Sequence, residues 1–185
     1  FITGPDKDSS VIIGGLLEII VALTGIGSAV VLYPVLKKKH GPFAIGLVAS
    51  RILEAATIFL GVAFLLTIVT LRQDGTGSAG IVTSHTLAVL YDRIFLLGQS
   101  FIPAINDLLL GYMLYQSRLV PRALSIIGMA GALPLIAGYL AVMFGFIEQR
   151  SPLAGLSALM VAVFEFSLGV YLVVNGFKTT QQTSE

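Results

Sequence analysis

The chain has 185 residues, 56% of them hydrophobic and 11% charged, with a mean hydropathy of +0.93; a soluble domain has roughly 45–50% apolar and about 25% charged residues. The composition is that of an integral membrane protein, and a net charge of +1 excludes the basic field a nucleic-acid binder needs. With no cysteine there is no disulfide framework, thiolate metal site or thiol nucleophile.

Five apolar runs follow in chain order, at residues 11–36, 42–71, 85–116, 122–147 and 152–177. Each exceeds the ~20 helical residues that cross a ~30 Å hydrocarbon core. Backbone groups in lipid must be paired within the segment, so the sequence predicts an all-α bundle of five transmembrane helices forming one domain. Pro42 and Pro152 open their runs where a first helical turn tolerates proline, and "RQDGTGSAG" supplies turn residues between the second and third. Small residues four apart, Gly25 with Ala29, Gly128 with Ala132 and Ala154 with Ala158, permit close helix approach.

Lys37, Lys38, Lys39, Arg118, Arg122 and Lys178 fall on one side of such a bundle, against Lys7, Arg72 and Arg150 on the other. The richer side is expected to be cytoplasmic, which puts Phe1 outside and the C-terminus inside. An outside start on a chain that begins without methionine, and without a signal peptide in "FITGPDKD", predicts a sixth, N-terminal span. "KKKH" reads as a topology signal before it reads as an anionic-lipid contact.

The third run carries its polar residues in couples seven apart: Asp92 with Arg93, Gln99 with Ser100, Asn106 with Asp107, preceded by His85 and Thr86. Positions seven apart drift by only about 20° around a regular helix, so the spacing predicts one polar stripe two residues wide. Pro103 lies within it and is expected to kink the helix by freeing the carbonyl of Gln99.

Counted at ~1.5 Å per residue from the cytoplasmic ends, Arg51 and Asp107 lie about 14 Å deep, Glu54 about 18 Å and Glu165 about 20 Å. Glu18 and Arg93 come to about 28 and 34 Å, near the outer boundary. A charge in the bilayer centre costs on the order of 2.5–3.5 kcal/mol, whereas a leucine returns only about 0.3–0.6. Pairing is therefore expected: Arg51 with Asp107, Arg93 with Glu18 or Asp92, and Arg51 within reach of Glu54 at i, i+3. The embedded acids Glu18, Glu54, Asp92, Asp107 and Glu165 outnumber the bases Arg51 and Arg93. One or two carboxyls are expected to stay neutral, Glu165 first and Glu54 next. Such a group can carry a proton, hold a ligand or merely fix the bundle.

"GGLLEII", "LYPVLKK", "ASRILEA", "LLLGYMLYQSRLVPR" and "VFEFSLGVYLVVNGFK", in that order, resemble the bacterial multi-pass membrane proteins of the domain of unknown function 4386 family. The matching positions are Glu18, Pro34, Arg51, Glu54, Gly111, Tyr112, Ser117, Pro121, Arg122, Glu165 and Gly176. The likeness covers nearly the whole chain. It implies a helix before the first piece and a bacterial plasma membrane, but no reaction.

Candidate residues are thus Arg51, Glu54, Gln99, Ser100, Asn106, Asp107 and Glu165 in a buried polar core, and Glu18, Asp92 and Arg93 on the outer side. Arg118 and Arg122 are candidates for headgroup contact, against the plainer role of an interfacial helix end with Tyr112 and Tyr115. Heme and transition-metal sites are disfavoured, because His40 and His85 sit at opposite faces. The lysines all flank the spans, which disfavours a retinal-type Schiff base; no nucleotide loop or Gly-x-Ser-x-Gly elbow is present. An oxygen-only Mg²⁺ site from Glu54, Asp107 and Glu165 stays open. So do three functions: a non-catalytic accessory subunit or ligand-binding membrane protein, a proton-linked small-molecule transporter without visible inverted repeats, and an intramembrane enzyme acting on a lipid or quinone-like substrate.

Overall fold

A computed structural model describes residues 2–4, 7–75 and 77–178, and all regular structure among them is helical. The elements are α1 (Asp8–Gln73), α2 (Gly77–Phe95), a π-helical turn (Leu96–Phe101), α3 (Ile102–Ser117), α4 (Arg122–Met143) and α5 (Pro152–Asn175). α2, the π-turn and α3 form one continuous 41-residue rod, Gly77–Ser117.

Four helices are long and apolar enough to cross a membrane: Asp8–Gln73, Gly77–Ser117, Arg122–Met143 and Pro152–Asn175. Five such helices were expected; among the described residues there are four. The first two expected spans are one helix of 66 residues, interrupted only by a non-helical residue, His40 (φ −136°, ψ 46°). Pro42 explains the position of that break. It cannot donate to the carbonyl of Lys38, and its ring disfavours helical Gly41, yet one residue of adjustment lets the helix resume.

The two limbs of α1, residues 8–39 and 41–73, fold back on each other at this break. Arg72 Nη1 lies 3.1 Å from Asp8 Oδ1, Ala22 packs with Ala55 and Ile58, and Gly25 faces the Arg51 side chain. Each contact joins residues at similar distances from His40, which is the register of an antiparallel hairpin. The hinge end is closed by His40 and Phe43 against Tyr112, with ring centroids 5.9 and 5.2 Å apart.

α3 packs on α1 and α4, and α4 on α5. The largest core cluster, around Leu36, Leu47, Met113, Leu114 and Phe164, lies toward the hinge end. α5 is peripheral: Phe166 and Val173 are 75% and 88% exposed, as expected where lipid rather than water bathes apolar side chains. At Gly128 a Cβ would fall 2.7 Å from the Phe164 ring, so α4 and α5 touch where only glycine fits.

Boundaries shift for local reasons. The third rod starts at Gly77 rather than 85, because "GSAG" is helical and only a short turn separates it from α1. α4 stops at Met143, ahead of Gly145 at φ +76°, and α5 stops before Gly176 at φ +65°. Ser151 caps α5 by accepting from the N–H of Ala154 (3.3 Å).

Candidate functional site

Arg51, on the second limb of α1, is the hub of the polar core. Nη1 donates to Glu54 Oε2 at 2.9 Å and Nη2 to Glu165 Oε1 at 2.6 Å. Asn106 Nδ2 donates to the same Glu54 Oε2 at 2.7 Å. The i, i+3 spacing brings Glu54 under Arg51, while Glu165 arrives from α5. The guanidinium thereby joins α1 to α5, and the Glu54 carboxylate joins α1 to α3.

The pairing differs from the sequence expectation. Arg51 is bonded to Glu54 and Glu165, not Asp107, and Glu165, expected to stand alone and neutral, is an ion-pair partner. Asp107 is 0% exposed, yet neither of its oxygens has a hydrogen bond, and neither Asn106 Oδ1 nor the Ser125 hydroxyl has one. Equal depth put Asp107 level with Arg51. It did not carry the rotation of α3, which points Asn106 at Glu54 instead.

That rotation comes from the π-turn. The N–H of Ile102 donates to the carbonyl of Leu97, five residues back, just ahead of Pro103. The kink expected at the proline is thus taken up as one inserted residue, which turns everything beyond it by about 100°. The heptad stripe is split. Asn106 and Asp107 are buried inside the bundle, Gln99 and Ser100 are half-buried, and His85, Thr86 and Arg93 are exposed. Gly98 anchors the turn, since a Cβ there would overlap Thr57 Oγ1 and lie 2.6 Å from its Cβ.

Gln99 and Ser100 line a second pocket of about 210 Å³ with Tyr139, Gln149 and Ser157. Asp92 pairs with Arg150 (2.7 Å) and accepts from Gln149 at its carbonyl (3.0 Å). Glu18 accepts a hydrogen bond from the Tyr91 hydroxyl. Arg93 pairs with neither Glu18 nor Asp92, contrary to expectation; Arg150 and Tyr91 take those places. The Arg122 guanidinium lies 5.2 Å from the Tyr115 ring, and Arg118 ends α3 in a left-handed conformation (φ 56°).

Beside the hub a cleft of about 280 Å³ opens between the first limb of α1 and α5. Arg51 and Glu165 line its floor, Leu32, Leu110, Leu168 and Leu172 form its walls, and Thr24 and Ser28 add hydroxyls. The Arg51 and Glu54 side chains are 12% and 11% exposed, that of Glu165 41%. Thr24, Ser28 and Gly169 escaped the sequence reading. Thr24 and Ser28 are four apart beside Gly25, a signal indistinguishable from an ordinary small-residue helix face.

Among the described residues no group of three or more His, Cys, Asp or Glu side chains could hold a metal ion. Two of the three carboxyls of the oxygen-only Mg²⁺ reading, Glu54 and Glu165, bond Arg51 instead.

Residues 3–176 match the family model described as Domain of unknown function (DUF4386), and the chain belongs to that family. Comparison with curated proteins and with solved structures gave no match.

Proposed function

For this member of a family whose description carries no activity, we propose an integral membrane protein that crosses the bilayer five times and binds a small amphiphilic molecule in the cleft between the first limb of α1 and α5. The α1 hairpin supports the crossing number. Sixty-six residues of helix would extend about 99 Å if straight, three times the hydrocarbon core. Folded at His40, each limb is about 50 Å long, enough to cross the core once and extend beyond it. The six basic residues at 37–39, 118, 122 and 178 lie at the hinge end, where the described chain has no Asp or Glu, and this end is the cytoplasmic one.

The observation that carries the binding reading is the Arg51–Glu165 pair, open to the side of the bundle at mid-helix. Glu165 lies about 20 Å from the start of α5 and about 15 Å from its end. A charge facing hydrocarbon at that depth costs on the order of 2.5–3.5 kcal/mol. An occupant with a polar head and an apolar body satisfies the floor and the walls together, which is the usual make-up of a small-molecule site.

Native mass spectrometry of protein extracted from its own membrane tests this. The wild type is expected to retain a small-molecule adduct that Gly169→Leu loses, since residue 169 lines the cleft and a Cβ there has nothing within 4 Å. Identical adducts on both proteins would refute it.

The second pocket favours a carrier as the alternative. Gln99 and Ser100 sit one heptad, about 10 Å, from Asn106 and Asp107, so polar groups run from one pocket toward the other cleft. Unchanged solute or proton uptake by Glu165→Gln proteoliposomes would count against transport.

A further inference from the structure

Resting on the cleft reading, we propose that the bound molecule is an amine: a protonated primary or secondary ammonium head on an apolar tail. The charges around the cleft point that way. Two carboxylates, Glu54 and Glu165, share the single guanidinium of Arg51, one on each terminal nitrogen, so the ionised trio carries one excess negative charge. An anionic head would meet the Glu165 carboxylate at the floor of a cluster whose two carboxylates already outnumber its one guanidinium. An ammonium meets the half-buried Glu165 carboxylate and supplies positive charge to a cluster with too little of it.

The hydroxyls argue the same way. The single hydroxyl proton of Thr24 is shared between the carbonyls of Ile20 and Val21, 2.9 and 3.0 Å away, and Ser28 donates to that of Gly25 at 2.8 Å. Their protons are committed to their own helix, so what they offer the cleft is oxygen lone pairs. With Glu165 these make a set of acceptors suited to N–H donors. Leu32, Leu110, Leu168 and Leu172 fit the tail, and about 280 Å³ holds the head with only a short length of chain.

The test uses the full chain in zwitterionic lipid nanodiscs at pH 7 and three photoreactive alkyl probes of equal tail length: an alkylamine, an alkyl alcohol and an alkyl sulfate. Crosslinks are mapped by peptide mass spectrometry to residues 21–32 and 165–172. In the wild type the amine is expected to label both segments about ten-fold more than the alcohol, and the sulfate least. Glu165→Gln should remove the advantage of the amine and leave labelling by the alcohol, while Gly169→Leu should abolish labelling by all three. Equal labelling by amine and alcohol, or stronger labelling by the sulfate, would overturn the amine and leave the cleft intact. Absence of wild-type labelling at both segments, or labelling that survives Gly169→Leu, would overturn the cleft reading itself.

Discussion

Replacing Arg51 with methionine removes the guanidinium that holds Glu54 and Glu165, in a side chain of similar length. Arg51 and Glu54 are 12% and 11% exposed and 2.9 Å apart, so the loss leaves a buried carboxylate facing only Asn106. Breaking a buried pair from one side costs about 3–5 kcal/mol. The Glu165 contact adds less, because that side chain is 41% exposed in the cleft. The cost should fall sharply in the double variant Arg51→Met/Glu54→Gln, where the introduced amide oxygen still accepts from Asn106 and no charge is stranded at that position. The coupling between the two sites is expected to reach about 2 kcal/mol. Reversible unfolding in bicelles, followed by far-UV circular dichroism because the chain has no tryptophan, measures all four corners of the cycle. A single variant within 1 kcal/mol of wild type, roughly what an exposed pair is worth, or strict additivity, would refute the claim that Arg51 is the hub of a buried network.

Gly98→Ala should destabilise by about 1–3 kcal/mol, since its Cβ would overlap the Thr57 hydroxyl; Thr57→Ala in the same chain should recover part of this, measured by the same unfolding assay. Gly145→Ala isolates backbone strain, because φ is +76° and the new Cβ meets nothing within 4 Å, and a cost of about 1–2 kcal/mol is expected there. The chain has no cysteine, so Lys38→Cys and Asp74→Cys can each be labelled alone by an impermeant maleimide. They should react from opposite sides of oriented vesicles, and reaction from the same side would refute the two crossings of α1.

The architecture was legible in the sequence because hydrophobic runs of span length leave the backbone little choice but helix. What the runs could not show was continuity. "KKKHGP" looks like a loop between two helices, yet the helix needs only His40 to leave its regular geometry. The polar residues were legible as a set at similar depth, of which Arg51, Glu54, Asn106 and Glu165 are joined by hydrogen bonds, Asp107 is buried without one, and Gln99 and Ser100 line the other pocket. Their pairing was not, because depth is one coordinate and rotation about the helix axis is the other. A one-residue π-turn between Phe95 and Ile102 changes that rotation without changing composition or spacing.

The same turn explains how one helix serves two places. Had α2 and α3 kept a regular period, Gln99 would nearly eclipse Asn106, and all three couples would face one strip of the bundle. With the inserted residue, Gln99 and Ser100 face α4 and α5 in the pocket with Tyr139, while Asn106 reaches across to Glu54 on α1. π-turns are rare, occur mostly as single-turn bulges inside α-helices and are frequent at functional sites, and here the turn sits where Gly98 touches Thr57 and where Pro103 withholds a donor. Thr57 in turn donates to the carbonyl of Glu54 at 2.6 Å. A change in the turn would therefore be felt through Thr57 at Glu54, and from there at Arg51 and the floor of the cleft.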